Sequence, residues 1–392
     1  MTVTRPAGFV AAGGGCGIKP GGAFDLAVVA TADGAPVPGA AVFTSNRACA
    51  APVTLSRRHL AASAGRVAAV VVNSGNANAA TGAPGLADAA RMAELTAKGI
   101  GCAAEEVLVC STGLIGFRLP MDRLEAGLPA VVAARAAGPE AGDAAARAIM
   151  TTDTRPKVVA RTGNGFVVGG IAKGAAMLAP DMATMLAVLT TDAAVEPVPL
   201  RAMLRDAVAA SFNRLSVDGC TSTNDTVIVM ASGASRSGPA PDSDEVARAL
   251  ADACADLAQQ MADDAEGATR VARVIVTGAA DDTEAAIAAR KVAESQLVQC
   301  SLHGADPYWG RVVSELGSAG VAFEMDRVEV SYGPVTVCRG GVAVDHDRDA
   351  VAAHLAERHV ELRADLGLGP GRAAMLTTAL SPAYIAENER TS

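Results

Sequence analysis

Lys173-Gly174-Ala175-Ala176-Met177-Leu178-Ala179-Pro180-Asp181-Met182-Ala183-Thr184-Met185-Leu186 carries more information than any other part of the chain. By local chemistry it is a loop, punctuated by Gly174 and Pro180, that runs into a strand over 185–192. Its periodicity marks no reactive group, and a lone threonine before an apolar strand reads as structural. Outward from it, short β-branched runs bounded by Gly, Asp or Asn predict further strands over 66–73, 106–110, 165–169, 226–230, 272–277, 327–331, 335–338 and 341–344. Apolar residues at three- and four-residue spacing predict helices over 86–98, 121–150, 199–214, 244–263, 283–299 and 348–358. Asp242-Ser243-Asp244-Glu245 supplies start chemistry for the fourth of these. Strand–helix–strand regularity is poor and strand pairs gather late in the chain. The order therefore predicts an α/β or α+β layered fold rather than a Rossmann sheet. The Pro- and Gly-rich run over 235–242 is the clearest loop.

Half of the 392 residues are apolar and 19% are charged, which suits two or three units with buried cores and excludes a disordered chain. Aromatics make up only 3%, so small and branched side chains must fill the core. The net charge of −9 without a basic stretch excludes nucleic acid and anionic membrane surfaces as partners. No apolar run is long enough for a transmembrane helix, and residues 1–9 lack the apolar stretch of a signal peptide. Eight scattered cysteines without a C-x-x-C pair predict reduced thiols in a cytoplasmic protein. The basic residues are nearly all Arg, with Lys only at 19, 98, 157, 173 and 291. His346 between Asp345 and Asp347 reads as a solvated turn; no ligand spacing asks for a metal, and no cofactor is predicted.

Gly13-Gly14-Gly15-Cys16-Gly17 has the look of a phosphate loop, but no strand is predicted before it and no Lys-Ser or Lys-Thr pair follows, so it reads as a flexible loop. Four stretches concentrate small polar residues: 73–78 (NSGNAN), 111–116 (STGLIG), 151–154 (TTDT) and 221–226 (TSTNDT). Each alone reads as turn chemistry. Together they suggest a site lined with hydroxyl and amide donors.

The segment 173–186 resembles the self-cleavage motif of the ornithine acetyltransferase (glutamate N-acetyltransferase) family, K-G-x-G-M-x-A-P-x-M-A-T-M-L, with Ala176 in place of a usual Gly. The blocks over 41–47 (AVFTSNR), 73–78, 111–116, 149–157 (IMTTDTRPK), 216–226, 266–269 (EGAT) and 303–311 (HGADPYWGR) resemble that family in its order. The resemblance implies αββα-type sandwiches and a precursor that cuts itself between Ala183 and Thr184. Residues 1–183 would form an α chain and 184–392 a β chain, commonly assembled as α2β2. It further implies a ping-pong transfer of acetyl from N-acetyl-L-ornithine to L-glutamate through Thr184. Chemically, a threonine hydroxyl needs a base, and the α-amine freed by the cut, with a pKa of roughly 7.7–8.0, supplies one on the same residue. By the same carry-over Thr112 and Gly113 form the oxyanion hole, while Thr151, Lys173, Thr184, Glu266, Asn388 and a terminal hydroxyl, Ser392 or Thr391, contact the amino acid. Apart from the resemblance, Lys173 reads as a solvated loop cation and Glu266 as a cap after Asp263-Asp264.

Departures from the family pattern fall at Tyr308 (usually Asn), Cys220 (usually Asp), 298–301 (VQCS for V-K-T-A) and 377–380 (TTAL for the C-D-L block). Acyl transfer is thus better supported than the identity of the amines. Alternatives are a diverged paralogue with another donor or acceptor, acetyl-CoA as an additional donor, an N-terminal-nucleophile amidohydrolase, and an unprocessed binding protein.

Overall fold

The structure, a computed structural model, describes residues 2–177, 185–235 and 241–389. Ala183, Thr184, Thr391 and Ser392 lie outside the described residues, as does 236–240 of the predicted loop.

Three sheets organise the chain. The first has the order Phe9–Gly14, Leu26–Thr31, Ala69–Asn76, Val107–Leu114, with only the last pair parallel. The second has the order Arg66–Val67, Val37–Phe43, Thr226–Ala231, Leu186–Thr191, Val167–Lys173, Lys157–Thr162, with only Thr226–Ala231 and Leu186–Thr191 parallel. These two sheets face each other: Val29, Val70, Val72 and Leu108 meet Ile171, Leu186, Val188 and Ile228 in one core. Their outer faces are covered as well. Val28, Val71 and Val109 pack against Met92, Leu124 and Leu128 of helices Gly82–Ile100 and Met121–Ala133. Val168, Leu189 and Val229 pack against Leu200, Leu204, Leu250 and Leu257 of helices Pro197–Ala210 and Ser243–Asp263. Burial on both faces is why these strands read as continuous apolar runs and not as alternating ones. The result is an αββα sandwich.

The third sheet has the order Val342–Ala343, Val335–Arg339, Glu329–Tyr332, His359–Asp365, Val271–Ala279, Gly371–Thr378. One face, with Val274, Val276, Val330 and Leu362, packs on helices Asp282–Ala293, Trp309–Gly317 and Arg348–Ala356. The other carries Arg273, Ser331, Glu361 and Arg363, partly or fully exposed, while Val271 and Leu376 on it pack into the core beside helix Ser243–Asp263. Among the described residues this unit has two layers, so one αββα sandwich is present rather than a pair. The buried Gln299 amide joins the units, donating to the Val217 carbonyl (2.9 Å) and the Thr377 hydroxyl (3.0 Å).

Several boundaries differ from expectation. The helix predicted over 121–150 is two, Met121–Ala133 and Pro139–Ala148. Between them Ala136 exchanges two backbone hydrogen bonds with Ala11 (3.0 Å each), and Pro139 restarts the helix at a position where no N–H is needed. The helix predicted over 283–299 also breaks, at Ser295, whose hydroxyl caps Gln296–Gly304. Gly13 and Gly14 end a strand that was not predicted. The N–H groups that a phosphate would require after it, those of Cys16, Gly17, Ile18 and Lys19, all donate to the Asp25 carboxylate at 2.7–3.1 Å. Among the described residues no helix is long and apolar enough to cross a membrane. His346 bonds the Val344 carbonyl beside the helix cap Asp347.

Candidate active site

Sheet register brings the chemistry together. Lys173, the last residue of its strand, pairs with Leu186, and Leu186 pairs on its other side with Thr226. The end of a strand from the first sheet, at Thr112, meets this point from the facing layer. Lys173 is only 3% exposed, and its ammonium donates to the Thr112 hydroxyl oxygen at 3.1 Å. The expectation of a solvated loop cation is corrected: an ammonium so buried requires counter-charge. Burial pushes the Lys173 pKa below the usual lysine range, against the pull of Asp153, Asp225 and Glu266 and with the repulsion of Lys157.

Asp225 is fully buried and accepts the Met185 N–H at 2.8 Å through Oδ1, while Oδ2 has no hydrogen-bond partner among the described residues. Burial raises its pKa well above the ordinary carboxylate range, and the Met185 bond only partly offsets this. Asp153 runs the other way. Burial alone would raise its pKa, but the Lys173 and Lys157 ammonium groups hold it below the usual value. It accepts the N–H groups of Thr151 (2.9 Å) and Gly174 (2.8 Å) as well as the Lys157 ammonium. Lys157 in turn bridges to Asp264, which also accepts the hydroxyl and N–H of Thr154.

Two residues beyond Asp264, Glu266 donates its N–H to the Ala175 carbonyl (2.9 Å) and accepts the Asn388 amide (2.7 Å) on Oε2. It is buried and ties distant segments together, which corrects the expectation of a local cap. Asn388 ends the C-terminal helix Pro382–Asn388, whose cap Ser381 also bonds the Gly267 carbonyl at 2.6 Å. Gly113 follows the buried Thr112 at an exposed position, with φ +132°. A Cβ there would stand 2.2 Å from the Gly75 carbonyl carbon, so the close approach of these parallel strands demands glycine.

Thr112, Gly113, Thr151, Lys173, Glu266 and Asn388 therefore share one neighbourhood, and Thr184 and Ser392 lie outside the described residues. Sequence reasoning missed Lys19, Asp153, Lys157, Asp225 and Asp264. A usable signal existed. Only five of the 33 basic residues are lysines, and three of them, Lys19, Lys157 and Lys173, meet here. The amides of the polar stretches mostly act as scaffold: Asn73 bonds the Asn76 carbonyl, and Asn224 bonds those of Ala77 and Ser111. Of the departures, Tyr308 is 56% exposed with Arg311 over its ring at 5.8 Å, and Cys220 is exposed with its N–H on Asp218.

The ArgJ family profile matches residues 10–391. The arginine biosynthesis bifunctional protein ArgJ of Thermobifida fusca is 48% identical over 99% of both chains. That of Mycobacterium bovis is 49% identical over 98% of this chain and 95% of its own. Among solved structures, ornithine acetyltransferase of Mycobacterium tuberculosis complexed with ornithine is 49% identical, covering 46% of this chain and 94% of that chain, with a TM-score of 0.44.

Proposed function

The chain belongs to the ArgJ family, and from that premise we propose that it is an acetyltransferase of arginine biosynthesis. It moves acetyl from N-acetyl-L-ornithine to L-glutamate by way of an ester on Thr184, after cutting its own chain between Ala183 and Thr184. The observation that carries this reading is the convergence of Thr112, Glu266 and Asn388, from separate segments, on Lys173 and Ala175, where Lys173 pairs with Leu186 at the start of the next strand. Thr184 is one peptide bond from Met185, whose N–H is fixed by Asp225.

In the proposed cycle the freed α-amine takes the Thr184 hydroxyl proton while the oxygen bonds the acetyl carbon. The carbonyl electron pair becomes an oxyanion, met by the Thr112 hydroxyl and the Gly113 N–H. Collapse breaks the C–N bond, and the ornithine nitrogen leaves with the proton from the α-ammonium. The glutamate amine then attacks the ester by the reverse sequence. Lys173 donates to the Thr112 oxygen, which leaves the Thr112 proton to face the oxyanion. The other Lys173 donors suit the substrate carboxylate. An incoming carboxylate also stabilises the charged form of Lys173, which burial disfavours. Glu266, held by Asn388, suits the side-chain ammonium of ornithine. Residues 1–183 and 184–392 then act as α and β chains, assembled as α2β2, in the cytoplasm.

A denaturing gel is expected to show two bands, with one N-terminus reading Thr-Met-Leu-Ala, and Thr184→Ala to give one intact, inactive chain. Full activity from an uncut chain would sink the proposal. Ornithine release from N-acetylornithine should depend on glutamate; release that ignores glutamate marks a hydrolase, and an acetyl-CoA arm reads the second donor. Thr112→Val removes one oxyanion donor, a loss of about 2.7–4 kcal/mol of barrier, seen as a fall in kcat of roughly a hundredfold or more.

A further inference from the structure

We propose that Lys157 is a positioning residue that fixes the spacing between the two sides of the amino-acid pocket; this rests on the function proposed above. Its side chain is completely buried, and so are, at 0% and 5% exposure, those of its two partners Asp153 and Asp264. Each partner grips a different pocket segment. Asp153 takes the N–H of Thr151 and the N–H of Gly174, next to Lys173. Asp264 closes helix Ser243–Asp263, two residues before Glu266, and takes both the N–H and the hydroxyl of Thr154. One ammonium thus joins the segments carrying Thr151, Lys173 and Glu266, three of the expected substrate contacts. On the proposed cleavage it joins the two chains as well.

The charge pattern supports a geometric role. Two carboxylates share Lys157, and Lys173 is a further cation acting on Asp153. With Lys157 in place, Lys173 is free to reach Thr112. Without it, Asp153 is left with Lys173 and Lys19 as the cations acting on it among the described residues, and Lys173 is then drawn back from Thr112 and from the substrate carboxylate. Buried ion pairs add little net stability compared with apolar packing. A triad whose every member holds a pocket segment is better explained by placement, where displacement by about an ångström costs large factors in rate or binding.

The test measures kinetics and thermal midpoints of the full processed enzyme, Lys157→Met, and the charge-balanced pair Lys157→Met/Asp264→Asn. Kinetics are normalised to sites that can be acetylated. In Lys157→Met the KM values for N-acetylornithine and glutamate are expected to rise together by about tenfold or more, with a smaller change in normalised kcat. The double variant is expected to regain thermal stability without regaining KM. Wild-type KM in the single variant, or KM that recovers with stability in the double variant, overturns the proposal, because the triad would then serve stability alone. If the single variant is insoluble, the double variant decides by the same criterion. A wild-type protein that neither transfers acetyl nor binds ornithine in calorimetry refutes the proposed function, and the Lys157 proposal with it.

Discussion

Asp225 and Asp153 lie in the same charge cluster as Lys173 and titrate in opposite directions because their surroundings differ. Asp225 is fully buried, and this desolvation sets its folded-state pKa above the unfolded value of about 3.9. The folded protein then holds the extra proton between those two values. The contribution of Asp225 to stability is complete below about pH 3.9 and is lost as pH rises through the folded pKa. Asp153, lowered by two ammonium groups, contributes stability that is present above about pH 3.9 and lost as pH falls through its folded pKa. Asp225→Asn mimics the protonated form and keeps an oxygen for the Met185 N–H. Its thermal midpoint is therefore expected to gain on that of the wild type as pH rises from about 3.9 toward the folded pKa of Asp225 and to keep that lead at higher pH; parallel pH profiles would contradict this. Little of this was legible in the sequence. A lysine reads as a surface residue unless its counter-charges are known, and those of Lys173 lie at Asp153, Asp225 and Glu266, far along the chain.

At the level of elements, runs such as 69–72 and 226–230 were legible because β-branched side chains fill a core closed on both faces. Phe9–Gly14 was not: its Ala and Gly have low strand propensity, and it is a strand because Leu26–Thr31 and helix Pro139–Ala148 enclose it. The C-terminal helix was also missed, since its seven residues gain little from propensity and rely on docking. It docks on the turn after Glu266, where Gly267 has φ +62° and a Cβ would stand 2.2 Å from the Tyr384 nitrogen. Gly267→Ala is therefore expected to lift the helix, separate Asn388 from Glu266, and raise KM for N-acetylornithine by about tenfold while the sandwich stays folded. Far-ultraviolet circular dichroism together with steady-state kinetics checks both parts, and an unchanged KM would show that the helix does not shape the pocket.

For the whole molecule, the proposed cut would fall in the link between two strands that are hydrogen-bonded to each other. Val167–Lys173 and Leu186–Thr191 pair from Val168↔Thr191 to Lys173↔Leu186. A second seam pairs Val37–Phe43 with Thr226–Ala231, from Phe43↔Thr226 to Gly39↔Met230. Cutting would thus remove a covalent link but no ladder bond of the second sheet, and residues 1–183 and 184–392 would share that sheet and the core beneath it. The third sheet is built from residues after 184 alone. Separating the two chains would expose the sandwich core, so they should co-elute on a sizing column in native buffer and part only in denaturant. What changes is the unfolded state. A cut molecule unfolds into separate chains, so its midpoint becomes concentration-dependent by mass action, whereas the uncut chain keeps both halves at a high effective concentration. Across a hundredfold dilution, the thermal midpoint of the processed protein is expected to fall, and that of Thr184→Ala to lose less, since any dependence left in it comes from assembly alone. Equal dilution dependence in the two would mean that the chain works as a single covalent piece or that the seams do not hold the two pieces together, and the sizing column distinguishes these outcomes.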